Sequence, residues 1–153
     1  MDGVSWVIRP ARGSEIDAVM AMFEWLFEPP GYTPRWWDDT RARRALAEAV
    51  EAGTSAVLVA EDDAGGLVGL ISAYLDLHSI RFGLRCWVED LAVDPSRRSE
   101  GIGRALLEAA MDWARDRGAT HLELDTGLAR EDARRFYESQ HPIAKGYTYS
   151  WAL

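Results

Sequence analysis

Apolar and polar side chains alternate over "VSWVIRP" as far as Pro10, which predicts a first strand over residues 4–9. The period then lengthens. Ile16, Val19, Met20, Phe23 and Leu26 recur at helical spacing behind Ser14, a residue suited to an N-cap, so "GSEIDAVMAMFEWLF" reads as a helix ending before Pro29. "EPPGYTPRWW" is turn-rich and aromatic. "DDTRARRALAEAVEAG" has acids near its start and Gly53 past its end, the pattern of a second helix. "SAVLVAED" and "GLVGLISAYLDL" are β-rich runs separated by the hairpin signal "DAGG". "RCWVEDLAV" is a further strand, closed by Asp94 and Pro95. A helix follows over about residues 101–117, with Ile102, Leu106, Ala109, Ala110 and Trp113 on one face and Gly118 as its stop. "HLELDT" reads as a short strand, "EDARRFYES" as a last helix and "GYTYSWAL" as a closing strand. The order β-α-α-β-β-β-α-β-α-β predicts an α/β layered domain whose sheet is too mixed in its connections to be all parallel.

At 153 residues the chain has the common size of one domain, and residues 1–153 are read as such. Charge changes the picture more than composition does. With 25 acids against 17 bases the net charge is −8, which argues against nucleic acid or an anionic membrane surface as partner and suits cationic substrates. The first residues carry an early acid and no apolar run of signal-peptide length. No segment approaches the ~18 apolar residues of a membrane span. A cytoplasmic location is the expectation. Cys86 is the only cysteine, so no internal disulfide forms, and a small buried side chain is a better reading of it than a nucleophile. His78, His121 and His141 lie far apart without metal-ligand spacing, and no metal is expected.

Chemistry concentrates between the strand "RCWVEDLAV" and the helix that follows it, in "DPSRRSEGIG". A loop of small residues entering a helix presents unpaired backbone N–H groups and the positive end of the helix dipole, a good seat for phosphate oxygens. Gly101 and Gly103 let a ligand approach the backbone, and Arg97, Arg98 and Arg104 add charge. The P-loop string is absent. The dinucleotide fingerprint needs a small residue at position 106, where Leu106 stands.

A third motif fits. "VEDLAVDPSRRSEGIGRALLEAAMDWARDRGA" resembles the acetyl-CoA-binding core of the Gcn5-related N-acetyltransferase (GNAT) superfamily, whose signature Q/R-x-x-G-x-G/A is here Arg98-Ser99-Glu100-Gly101-Ile102-Gly103. "AREDARRFYESQ" is similar to a second block of that family and "VIRPARGSEIDAV" to its first strand and helix, so the resemblance covers nearly the whole chain. It implies an α/β fold with a mixed, mostly antiparallel central sheet and helices on both faces. It also implies acetyl-CoA as cosubstrate, its pyrophosphate on the amides of Arg98, Ser99, Glu100, Gly101, Ile102 and Gly103, with Arg104 following. The pantetheine arm then runs along Leu91, Ala92 and Val93. On this reading the side chain of Glu100 points to solvent.

The implied reaction is acetyl transfer from the thioester to an amine. A free alkylamine of pKa ~10.4 is neutral in only about one molecule in 10³ near pH 7, so a base must take its proton. Glu89 and Asp90 are the candidates. Neighbouring strand residues point to opposite faces, so one of them reaches the thioester unless a bulge intervenes. Family members with an acid-acid pair before the cofactor strand use the residue matching Glu89 as base, and others a position two residues earlier, here Trp87, so the resemblance implies Glu89, while Tyr137 of "FYE" returns a proton to the departing thiolate and Phe136 packs in the core. Three positions depart from the family pattern. Arg130 stands where many relatives have an Asn contacting the pantetheine arm, His141-Pro142 replaces Gly-Phe, and Ser99-Glu100 replaces the commoner Gly and Lys.

In the family the acceptor cleft is lined by the loop between the first two helices and by the hairpin before the cofactor strand, here "FEPPGYTPRWWDD" and "LDLHSIRFG". Trp25, Phe27, Tyr32, Trp36 and Trp37 supply an apolar wall or a cage for a cationic amine, at least half of them packing in the core, with Glu28, Asp38 and Asp39 adding negative charge. The expected partner is a small-molecule primary amine, with a protein or peptide amine, or an idle CoA-binding sensor, as alternatives. A homodimer is left open.

Overall fold

The computed structural model describes residues 5–153; Val4, at the start of the expected first strand, lies outside them. Five strands form one sheet in the order β1-β2-β3-β4-β5. They are β1 (Trp6–Pro10), β2 (Ser55–Asp62), β3 (Leu67–Ser79), β4 (Gly83–Val93) and β5 (His121–Glu123). The first four pair antiparallel, and β5 lies parallel to β4. A parallel neighbour requires a crossover, which helix α4 (Ile102–Asp116) provides. The expected mixed, mostly antiparallel sheet is the one observed.

Both faces are covered. On one, Ile102, Leu106, Leu107, Ala110 and Ala114 of α4 pack on Ala56, Leu58, Ile71, Ala73, Cys86 and Val88 of the sheet. On the other, α1 (Ile16–Met22) and α3 (Asp39–Glu51) set Val19, Met20, Met22, Leu46 and Ala49 against Val57, Val59, Leu70 and Ala92. The β2–β3 turn closes as "DAGG" predicts, with Asp62 Oδ1 accepting from the amides of Ala64 (3.0 Å) and Gly66 (2.8 Å). α5 spans Glu131–Ser139, matching "EDARRFYES".

Three expectations are corrected. Ser14 caps nothing: it sits in a 3-10 turn (Gly13–Glu15) where Glu15 takes the capping role, accepting from the amide of Arg12 at 2.8 Å. Arg9 donates to both oxygens of Glu15 (2.8 and 2.7 Å) and to Glu61 (2.5 Å), tying the helix entry to β1 and β2. That guanidinium holds the Glu15 carboxyl down at about 2. The first helix is broken at Phe23 into α1 and a single turn α2 (Glu24–Phe27), which swings Trp25 and Leu26 under the sheet beside Trp37. The closing strand over residues 146–153 is not formed. His141 adopts φ 57°, Pro142 brings no N–H, and no main-chain hydrogen bond joins residues 142–153 to the described chain.

Candidate active site

The open stretch of β4 organises the site. β5 pairs only with Arg85, Cys86 and Trp87, so from Val88 to Val93 the edge of β4 facing away from β3 has no strand partner among the described residues. The Asp94 amide donates to Val68 at 2.9 Å and the Asp90 amide to Ser72 Oγ at 3.1 Å, both toward β3. Alternation along the strand therefore turns the main-chain groups of Leu91 and Val93 to the open edge and those of Ala92 inward.

A bulge sits in this stretch. Consecutive β3 residues Ser72 and Ala73 face Asp90 and Val88, so Glu89 is an extra residue without a partner across the ladder. The two carboxylates thereby receive opposite settings. Glu89 is exposed, and the Trp87 indole Nε1–H donates to its Oε2 at 2.6 Å, while the Arg85 guanidinium lies 4.9 Å over the Trp87 ring. Arg85 is fixed in turn by Asp76 (2.8 Å) and Glu123 (3.3 Å). Asp90 shares the face of Ala92, beneath α1 and α2, and accepts from Ser72 Oγ at 2.6 Å. Burial pushes its carboxyl up to about 6. Tyr74 joins this group: burial first, then the charge of Asp90, raises its phenol. The bulge that the alternation argument left open is present, whereas Tyr74 carries no local signal that singles it out.

At the far end of β4 the chain turns through Pro95–Arg97 into the loop 98–101 and α4. Ser99 (φ 67°) and Gly101 (φ 87°) both lie in the left-handed region. No atom stands within 4 Å of a Cβ built on Gly101, so glycine is needed there for backbone conformation rather than for room. No side chain caps α4, and the first bond of the helix ladder runs from the Ala105 amide to Gly101 at 3.0 Å. The amides of Ile102, Gly103 and Arg104 are left without helical acceptors, at the positive end of a fifteen-residue helix. This concavity of amides fits a pyrophosphate. A Cβ at Gly103 would meet Phe136 Cζ at 3.5 Å and Val93 Cγ2 at 3.7 Å, ordinary contacts that bring α5 against the junction of β4 and α4.

The arginines are not equivalent. Arg97 is committed to Glu100 (2.8 Å), Asp62 (3.3 Å) and Ser5 Oγ (3.1 Å). Glu100 is exposed, as expected, and its carboxylate also accepts from the neighbouring Arg97 guanidinium. Arg104 pairs with Glu108 at 2.9 Å, one turn on. Arg98 is exposed and makes no ion pair among the described residues.

α5 carries Tyr137 one residue beyond the Phe136 contact. Its phenol is partly buried and pushed up to about 12 by burial, with Arg130 and Asp125 the nearest charges. It keeps its proton at neutral pH. Arg130 reaches across to the Leu26 carbonyl at 2.9 Å and so ties the start of α5 to α2. Cys86 is fully buried, and burial pushes its thiol up to about 11, the setting of an inert packing residue. His141 stands in the exposed turn after α5.

On the acceptor side Trp25, Phe27 and Trp37 pack inward, the last two edge-to-face at 4.8 Å, while Tyr32 (76%) and Trp36 (57%) are exposed. Asp38 is used as the cap of α3, accepting from the Arg41 amide at 2.8 Å, and Asp39 pairs with Arg43 at 2.7 Å. Of the three acids expected there, only Glu28 makes no such bond. No helix among the described residues is long and apolar enough to cross a membrane.

The open β4 edge, the amide cradle and α5 thus lie next to one another, and comparison with known proteins gives the family. The chain belongs to the acetyltransferase (GNAT) family, whose model matches residues 18–141. It is 32% identical over 132 residues to the uncharacterised N-acetyltransferase YhfO of Bacillus subtilis, with 86% of this chain and 85% of that protein covered. Over 124 residues it is 31% identical to the aminoglycoside N(6')-acetyltransferase type 1 of Klebsiella aerogenes, covering 73% of this chain and 76% of that one. Two further curated N-acetyltransferases match over shorter stretches, and the chain spans 42% and 53% of their lengths. In fold it is similar to an aminoglycoside acetyltransferase from an uncultured soil metagenomic sample, solved in complex with sisomicin. The TM-score is 0.77 at 20% identity, over 97% of this chain and 95% of that one.

Proposed function

We propose that this protein transfers an acetyl group from acetyl-CoA to a primary amine of a small cationic molecule, by direct attack in a ternary complex. The observation that carries the reading is the placement of Glu89: a bulge presents its carboxylate to solvent on the strand whose open edge leads to the amide cradle. Acetyl-CoA supplies the acetyl group as a thioester. The amides of residues 98–103 hold its pyrophosphate, with Arg98 and Arg104 at the rim, and the main-chain groups of Leu91 and Val93 align its arm. Glu89 accepts the proton of the incoming amine, held in orientation by the Trp87 indole. Tyr137, still protonated at neutral pH, donates to the departing sulfur. Arg130 does not take the place of the family's Asn at the arm. It donates instead to the Leu26 carbonyl in α2, the helix that leads into the acceptor loop.

The net charge of −8 and the exposed rings of Tyr32 and Trp36 favour a cationic acceptor. The aminoglycoside activity named for the Klebsiella relative points to the same class, small molecules bearing several amines. Thiol release from acetyl-CoA, followed over a panel of aminoglycosides, polyamines, amino acids and peptides, tests this. Turnover is expected with the polyamine-like members. Turnover confined to peptides would move the acceptor to protein amines, and CoA binding without turnover on any member would make this a sensor module.

A further inference from the structure

Within the buried run of β3, residues 68–73, Ser72 is the one polar side chain, and it is only 4% exposed. A hydroxyl taken out of water costs free energy unless it is paired. Ser72 is paired twice, both times with the same residue. Its Oγ accepts from the Asp90 amide at 3.1 Å and donates to Asp90 Oδ2 at 2.6 Å, which closes a small ring through one residue of β4.

That ring sits where the sheet has a choice. Leu91 faces Ile71 and Val88 faces Ala73, so Glu89 and Asp90 have one β3 residue between them, Ser72. The pairing count is met whichever acid lies opposite Ser72 and whichever is left over. One order exposes Glu89 and turns Asp90 under α1 and α2. The other turns Glu89 inward and exposes Asp90, because neighbouring strand positions face opposite sides. Both side chains are acids, so hydrophobicity does not separate them. The ring does. The Asp90 carboxylate stands one methylene from its Cα, short enough to return to the hydroxyl that already holds its own amide. A glutamate in that place has a further methylene, closes a looser ring and loses more rotamer freedom in doing so. On the exposed side the Trp87 indole, donating to Glu89 Oε2 at 2.6 Å, favours the same order.

We infer that Ser72 is a positioning residue that selects which of two adjacent acids serves as the base: by fixing Asp90 inward it leaves Glu89 as the exposed residue of the bulge, beside Trp87. Its kinetic consequences rest on the acetyl-transfer reading above, whereas its structural ones do not. Ser72 is buried and acts through Asp90.

The test compares Ser72→Ala, Ser72→Thr and Glu89→Gln with the unsubstituted chain in the thiol-release assay, and records the Trp87 indole N–H resonance of each. Alanine removes the hydroxyl and lets the two acids compete for the inward place, so kcat should fall about tenfold while the KM for acetyl-CoA stays within about twofold. Threonine restores the hydroxyl and should bring kcat back to within about threefold. In the Glu89→Gln background Ser72→Ala should cost no more than about twofold, since a residue acting through Glu89 then has nothing left to orient. The indole resonance should move or double in Ser72→Ala and return in Ser72→Thr. Retained protection of α4 amides certifies the fold of each variant. Unchanged kcat in Ser72→Ala overturns the inference. A loss that adds in full to that of Glu89→Gln, or one with an unmoved indole resonance, also overturns it, because the hydroxyl then supports the fold alone. If the unsubstituted chain acetylates no amine, the acetyl-transfer reading fails and the resonance decides by itself: a shift in Ser72→Ala that threonine reverses sustains the selection, and an unmoved signal overturns it.

Discussion

The two halves of the open β4 edge use different parts of the chain. In the loop 98–103 the work falls to the backbone: two left-handed residues and three unpaired amides make the seat, and side chains mostly face away. At the bulge the work falls to side chains, with Glu89 and Asp90 set apart by one unmatched residue and locked by Trp87 and Ser72. In the first region backbone angle is the stricter requirement, with the Arg97–Glu100 pair as the side-chain exception. The second depends on the identity of nearly every residue. Ser99, at φ 67°, keeps the left-handed backbone without being glycine.

Mutations sharpen the contrast in order of size. Glu89→Gln keeps the shape and removes the base, so turnover in the thiol-release assay should fall on the order of 10²-fold, with CoA affinity unchanged by calorimetry. Undiminished turnover would hand the role to another group. Gly101→Val places a β-branched residue at φ 87°, a strain of ~1–2 kcal/mol or more, and CoA affinity should drop about tenfold. Gly103→Ala meets only ordinary contacts and should stay within about twofold. A comparable loss in both glycine variants would mean that room, not backbone angle, governs the loop.

Asp90→Asn tests the buried half of the bulge. The folded-state carboxyl titrates near 6 against an ordinary 3.8, so the fold binds this proton more tightly than the unfolded chain does. Its contribution is most favourable below pH 4 and declines as pH rises from about 4 to about 6. Asn should therefore stabilise the protein by about 1–2 kcal/mol at pH 7 and by little at pH 4, measured by denaturant titration at both. Glu100→Lys is the smallest effect: it breaks the Arg97 pair and should weaken CoA binding about threefold despite the added positive charge. Tighter binding in that variant would show that loop charge outweighs loop order.

Local periodicity made most of the elements legible, because strand and helix each bury a face at their own spacing. α5 and the β2–β3 hairpin follow "EDARRFYES" and "DAGG" closely. The loop motif was legible for the same reason, since glycine spacing and a helix start are local. What failed was non-local. The bulge is fixed by the register of β3 against β4, which no window around "VEDLAV" contains. Arg97 read as charge free for a ligand because its partners Asp62 and Ser5 lie far back in the chain. "GYTYSWAL" has the composition of a strand and lacks a ladder in its own chain, so propensity there names a capacity rather than a place. The sequence also hid the role of Trp87, for which the only trace is its position two residues before Glu89.

Arg97 has a consequence for the energetics of binding. Its guanidinium joins Glu100 in the loop to Asp62, and Asp62 also accepts the amides that close the β2–β3 turn. The loop is therefore preorganised by a strut from the β2–β3 turn at the same end of the sheet. A ligand arriving there meets a seat already frozen in its bound shape, and the entropy of ordering those residues is spent during folding instead of being subtracted from affinity.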